Sequence, residues 1–231
     1  MPTPVPLPRG IHAPMLDVRL RLDIRMLVVT FDRVRVDRRD GAFRELERCA
    51  EAYRAAGEAR GSQAPGSVPG VEHARQLFQA LGLDPTKRRP SSEALLNRAL
   101  KSKPMPHVSN LVDVGNWVSL DLLLPLGLYD TDRVHGPIVL RRGTAGDGYD
   151  AINHAWIDLE GRYLLADDDG PFGSPMTDSL RTAVTESTTA AAVLVYAPLT
   201  YDSAELAKHS AVIVDRVETH CDGGEAEVEL L

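Results

Sequence analysis

The strongest constraint on how this chain can fold is a change of texture at Pro104 and Pro106. Upstream of these prolines, apolar residues recur at three- and four-residue intervals, the spacing that lays one stripe along a helix. Asp40 stands where a helix cap belongs, ahead of Phe43, Leu46, Ala50 and Tyr53, and that helix is expected to end within 57–61. After a loop rich in Gly, Ser and Pro over 61–70, Val71, Ala74, Leu77, Phe78 and Leu81 form a second stripe closed by Gly82. Pro90 and Ser91 open a third helix, in which Leu95, Leu96, Ala99 and Leu100 face the core while Arg98 and Lys101 face outward.

Downstream, the apolar runs shorten and turn residues separate them. Strands are expected at 117–124, 138–141, 155–158, 162–166, 191–197 and 211–217, followed by a hairpin around Asp222, Gly223 and Gly224. Near the start, Leu16, Val18, Leu20 and Leu22 alternate with polar residues as in a half-buried strand, and Val34 and Val36 repeat the pattern between arginines. Helices early and strands late predict an α+β fold.

With 231 residues, 43% of them hydrophobic, the chain fits one domain over 11–231, preceded by an extended Pro-rich arm over 1–10. It has no run of about eighteen apolar residues, so no membrane partner is expected. The first residues lack the basic start and apolar segment of a secretory signal. Cys49 and Cys221 fit no metal spacing, and such widely separated thiols suit a reducing cytoplasm.

The net charge of −7 argues against a protein that wraps DNA, because Lys and Arg supply most non-specific affinity for phosphate. The charge is nevertheless polarised. Within 87–103, six basic residues (Lys87, Arg88, Arg89, Arg98, Lys101, Lys103) face the single acid Glu93. Within 215–231, six acids face only Arg216. One patch can therefore meet a nucleic-acid end while the rest repels it, although a solvated helix face explains the same pattern.

The chain carries no GxSxG elbow, HExxH, P-loop or GxGxxG, which removes the usual signatures of nucleophilic hydrolases, zinc proteases, kinases and dehydrogenases. His107, His135 and His154 are not spaced as ligands on one face, so neither a metal nor a cofactor is expected. The run Asp167, Asp168, Asp169 reads as a strand end in solvent.

The stretch NLVDVGNWVSLDLLLPLGLYD over 110–130 resembles the B3/B4 domain of the bacterial phenylalanyl-tRNA synthetase β-subunit, whose pattern is roughly NNVVDVTNYV followed by GQPLHAFD. The likeness covers roughly 91–198. Two phrases, PTKRRPSSEALLNRAL over 85–100 and DSLRTAVT over 178–185, make the chain more similar still to free-standing B3/B4 proteins. The resemblance implies a layered fold with a β-sandwich of unusual topology and flanking helices.

It also implies hydrolysis of misacylated tRNA in trans, by positioned water, with the aminoacylated 3′ end of tRNA as partner. Asn116 matches the family's editing-pocket Asn and, with Thr182, is the expected catalytic pair. Gly127, Gly170, Phe172, Gly173 and Arg181 are the expected substrate-binding set, and Lys87, Arg88, Arg89, Arg98 and Lys101 the expected tRNA contacts. Asn110 and Asp113 read as structural. Gly127 stands where the synthetase domain carries its editing His, and an apolar residue, Ala192, where it has its Glu. Those two replacements support an alternative: a non-catalytic module that binds an amino acid, an aminoacyl-tRNA or an aminoacyl-tRNA synthetase. A small-molecule enzyme on the same scaffold is a third possibility, because fold does not fix function.

Overall fold

In a computed structural model, residues 15–16 and 24–231 are described. In chain order the elements are β1 (Met15–Leu16), β2 (Ile24–Phe31), α1 (Gly41–Ala59), α2 (Val71–Ala80), α3 (Ser91–Leu100), α4 (Asn110–Leu122), β3 (Leu126–Asp130), β4 (Val139–Arg142), β5 (Gly148–Asp150), β6 (Trp156–Asp158), β7 (Tyr163–Asp167), β8 (Gly170–Ser174), β9 (Thr177–Asp178), β10 (Ala191–Pro198), α5 (Ser203–Cys221) and β11 (Ala226–Leu230). The Pro-rich arm over 1–10 and the alternating segment beyond Leu16 lie outside the described residues.

Two strands organise the core. β2 and β10 pair antiparallel at the centre of a sheet ordered β11-β2-β10-β3. Both read as continuous apolar runs, and the reason is burial on both faces. Leu27, Val29 and Phe31 of β2, with Val193, Val195 and Ala197 of β10, pack against Leu111, Val114 and Val118 of α4 and against Leu206, Ile213 and Val217 of α5. The alternate residues Met26, Val28, Ala192, Leu194 and Tyr196 face the other way, onto Leu140, Tyr163, Leu165 and Phe172 of the second sheet and Ile138 just before its strand β4. That sheet is ordered β1-β4-β7-β8-β9. The result is an α+β fold of helices, sheet and sheet, with α1 and α3 packed on the far side of α4 through Leu46, Ala50, Leu96, Leu100 and Leu120.

Three expected strands are not strands. Residues 117–122 continue α4, because Leu111, Val114 and Val118 form a helical stripe onto the sheet while Leu120 reaches into the α1–α3 cluster. Burial on several sides makes the run uniformly apolar and hides its period. Leu123 then takes a left-handed conformation, φ 54°, before Pro125. Residues 211–217 lie within α5, where Asp202 accepts a capping bond from the Glu205 amide at 2.9 Å. Val34 and Val36 are buried in a connecting segment rather than a strand.

The expected C-terminal hairpin is likewise replaced. Residues 222–224 turn from α5 into β11, which pairs with β2. Asp40 holds the cap position of α1, but its carboxylate makes no capping bond and instead faces Arg44 at 3.7 Å and His107 at 3.5 Å.

Asn110 is wholly buried and uses its whole amide. Its oxygen accepts from the Asp37 and Leu111 amides, and its nitrogen donates to the Arg35 and His220 carbonyls, each at 2.9 Å. It thereby ties the start of α4 to the end of α5. Asp113 accepts from the Val108 amide and holds His107 at 2.7 Å.

Candidate functional site

The placing of α4 against the near edge of the first sheet leaves a cleft of about 540 Å³. From α4, Val112, Gly115, Asn116 and Ser119 face it at three- and four-residue spacing. From β3 come Leu126 and Leu128, the residues of alternate parity to the buried Gly127 and Tyr129. Ser91 and Leu95 of α3 and the segments 175–178 and 183–185 complete the walls. Val108, Ile152 and Leu180 stand at its mouth, 56, 56 and 42% exposed, so the entrance itself is apolar.

Two polar groups face this apolar space with chemistry to offer. The Asn116 amide has no hydrogen-bond partner among the described residues, so its donor and acceptor remain available to a ligand or water. Ser119, by contrast, spends its hydroxyl on the Leu124 carbonyl at 2.8 Å. The second group is Asp178, the one ionisable side chain among the described residues that line the cleft.

Asp178 sits where the short β9 abuts the free edge of β3. Its Oδ1 accepts from the Tyr129 hydroxyl at 2.6 Å, and its Oδ2 accepts from the Leu128 amide at 3.2 Å. Behind them the Tyr196 hydroxyl lies 3.2 Å from that of Tyr129. Asp178 keeps part of its surface open to the cleft, yet protein crowds its carboxyl. Burial pushes that carboxyl up to about 7, against the lowering effect of the bonds from Tyr129 and Leu128. The Tyr129 and Tyr196 hydroxyls are driven well above the usual phenol range by burial and by the Asp178 charge, and both stay protonated.

The expected site residues separate into distinct places. Asn116 is on the cleft wall. Gly127, Phe172 and Gly173 lie behind it, in the layer between the two sheets, around the Tyr129 ring. A Cβ at Gly127 or at Gly173 would overlap the Tyr129 hydroxyl and ring, and Phe172 meets that ring edge-on at 5.1 Å. Ala192 pairs directly with Tyr129 across the strands. The volume that larger residues at 127 and 173 would fill is occupied by Tyr129.

Thr182 is also away from the cleft surface. It is wholly buried, its hydroxyl lies 3.1 Å from that of Ser179, and its carbonyl accepts from the Asp130 amide at 2.9 Å. Arg181 grips the turn between β7 and β8. It donates to Asp167 at 2.7 and 3.0 Å, to the Gly170 carbonyl at 3.3 Å and to the Arg133 carbonyl at 3.0 Å. Gly170 opens β8 with φ 111°, a conformation that suits glycine alone at this turn. Asp167 is consumed by Arg181, and Asp169 holds His135 at 2.6 Å. Among the described residues no group of three or more His, Cys, Asp or Glu is gathered as a metal ligand set.

The basic residues divide as well. Lys87, Arg88 and Arg89 precede α3, whose first turn lines the cleft, and Arg88 reaches Met176 of the cleft wall at 3.8 Å. Lys87 is wide open to solvent, 84% exposed, and Arg89 faces Glu93 at 3.7 Å. Arg98 donates to the Pro104 carbonyl at 2.9 Å, and it and Lys101 lie toward the far end of α3, roughly 10 and 15 Å along the helix from Ser91. Sequence reasoning missed Tyr129 and Asp178, and also Arg162, whose guanidinium meets Met176 at 3.6 Å. Asp178 begins the phrase 178–185, which was the available signal.

The B3/4 domain family matches residues 73–216, and the chain belongs to that family. Among curated relatives, the phenylalanine–tRNA ligase beta subunit of Streptomyces avermitilis is 37% identical over 93 residues, 40% of this chain and 11% of the relative. That of Xanthomonas oryzae pv. oryzae is 33% identical over 109 residues, 46% of this chain and 13% of the relative. That of Bifidobacterium longum is 38% identical over 73 residues, 32% of this chain and 8% of the relative. The match thus spans only a small part of these ligases. No helix among the described residues is long and apolar enough to cross a membrane.

Proposed function

We propose that this protein hydrolyses misacylated tRNA in trans, taking the aminoacyl group of the tRNA 3′ end into the cleft beneath Asn116. The observation that carries the reading is the unpartnered Asn116 amide on the wall of an apolar cleft of about 540 Å³, within a domain of the B3/4 family. An apolar wall suits an amino-acid side chain, and a free amide can orient the ester carbonyl or the attacking water. Water oxygen adds to the ester carbonyl carbon, the bond to the ribose oxygen breaks, and the proton passes to that oxygen. The products are free amino acid and uncharged tRNA. Holding water and ester together supplies the catalytic advantage without a covalent nucleophile. Lys87, Arg88 and Arg89 at the rim steer the terminal phosphates.

A second reading is supported by one specific observation. Positions 127 and 192 are Gly and Ala, and Tyr129 occupies the space beside them. A domain with no His at 127 and no Glu at 192 suits a module that binds an aminoacyl-tRNA, an amino acid or an aminoacyl-tRNA synthetase and performs no hydrolysis. A panel of misacylated tRNAs separates the two readings. Release of amino acid from at least one member well above the buffer rate supports the deacylase; stoichiometric binding without release selects the second reading.

A further inference from the structure

Among the described residues, the buried carboxylates Glu93, Asp113, Asp130 and Asp167 are each paired with a base, and Asp178 at the cleft is not. Glu93 faces Arg75 at 2.7 Å, Asp113 faces His107 at 2.7 Å, Asp130 faces Arg133 at 3.4 Å and Asp167 faces Arg181 at 2.7 Å. Asp178 has no cationic partner among the described residues. It is held by two neutral donors, the Tyr129 hydroxyl and the Leu128 amide, each taking one carboxylate oxygen. A carboxylate accepts about four hydrogen bonds, so both oxygens keep acceptor capacity beyond those two bonds. Leu126, Leu128 and Leu180 line the same cleft. A carboxylate left unpaired against apolar walls is unfavourable, and a cation delivered by the ligand removes that penalty.

We propose that Asp178 receives the ammonium group of the cleft's ligand, so that the site takes aminoacyl groups with a free α-amine and rejects N-acylated ones. The inference rests on the reading of the cleft as an aminoacyl pocket. It names the class within that reading: an apolar side chain along Leu126 and Leu128, and a primary amine at Asp178. The orientation of the carboxylate is set in advance by Tyr129, whose ring is seated against Gly127 and Gly173. An amide nitrogen in place of the amine carries no charge and adds the bulk of the acyl group beside Asp178. Formylated initiator tRNA and peptidyl-tRNA fall in the rejected class by this chemistry.

The test uses the whole protein and calorimetric titration at pH 7 with the amides of valine, leucine, methionine, phenylalanine and tyrosine, each beside its N-acetyl derivative. At least one free-amine amide is expected to bind about tenfold or more tightly than its acetylated counterpart, the loss of a charge-assisted contact. Asp178→Asn, checked by its thermal unfolding, is expected to bring the two within about twofold. Equal affinity for the free and acetylated ligands, or binding of neither across the series, overturns the assignment. The wild-type comparison stands even where Asp178→Asn does not fold. Deacylation of misacylated tRNA with equal cleavage of its N-acetylated form overturns this inference and leaves the deacylase reading intact. Amine-selective binding without deacylation supports the inference and sinks the deacylase.

Discussion

The Tyr129 hydroxyl donates to Asp178 Oδ1 at 2.6 Å, and it reaches that oxygen because positions 127 and 173 carry no side chain. This one bond joins the buried layer between the sheets to the floor of the cleft. Two glycines, a phenol and a carboxyl therefore form one unit, although fifty-one positions separate the first from the last.

Substitution at either glycine should disturb that unit. Gly127→Ala and Gly173→Ala each place a methyl group against the Tyr129 ring and hydroxyl, and each is expected to destabilise the fold by about 1–3 kcal/mol in urea unfolding. Tyr129→Phe in the Gly127→Ala background should recover part of the loss, since the hydroxyl goes but the ring edge stays. Additive losses in the double variant would contradict the packing described.

Stability should also depend on pH through Asp178. Its carboxyl moves from 3.8 when unfolded to about 7 when folded, so the folded state holds the proton more tightly. Stability then falls as pH rises from about 4 to about 7 and levels off above, by on the order of 2–4 kcal/mol in total. Asp178→Asn should remove this component of the slope in chemical unfolding followed from pH 5 to 8. In that variant the amide oxygen accepts from Leu128 and its nitrogen donates to Tyr129, which turns its own proton to Tyr196. An unchanged slope would show that Asp178 titrates elsewhere.

Two asparagines six positions apart should behave oppositely. Asn110→Ala leaves the Arg35 and His220 carbonyls and the Asp37 amide without their partner, and is expected to destabilise by about 2–4 kcal/mol. Asn116→Ala removes an amide with no partner in the fold, and its unfolding midpoint should move by less than about 0.5 kcal/mol equivalent. Equal losses would place Asn116 in the scaffold rather than in the site.

Charge removal should follow the geometry of α3. Replacing Lys87, Arg88 and Arg89 together by Ala should weaken tRNA binding in filter assays and lower the salt slope by about 2–3, at roughly one unit per phosphate contact. Replacing Arg98 and Lys101, at the far end of the helix, should change the slope by less than one. A larger effect from the second pair would move the proposed tRNA path to the other end of α3.

The three helices before Pro104 were legible because each buries a single face, so the period of Phe43, Leu46 and Ala50 or of Val71, Ala74, Leu77 and Phe78 stands out. Of the two inner strands, β10 was legible from its apolar run at 191–197, whereas β2 was not: the alternation was read before it, at Leu16 to Leu22, and after it, at Val34 and Val36. The strand readings at 117–124 and 211–217 failed where local preference and packing disagree: Val212, Ile213 and Val214 favour strands, while the Asp202 cap and the inward row of Leu206, Ile213 and Val217 build a helix. Asn116 was legible from its motif alone. Tyr129 with Asp178 was not, since no local pattern announces that a two-residue strand will dock on the edge of β3 and place a carboxyl against a hydroxyl of that strand.

The most direct measurement of the proposed activity is the single-turnover release of amino acid from the misacylated tRNA that the panel selects, with wild type and Asn116→Ala side by side. The expected result is release well above the buffer rate for wild type and a fall of roughly tenfold to a hundredfold for Asn116→Ala, with the fold intact. Equal rates for both proteins, or no release above buffer by wild type on any member of the panel, would contradict hydrolysis in this cleft.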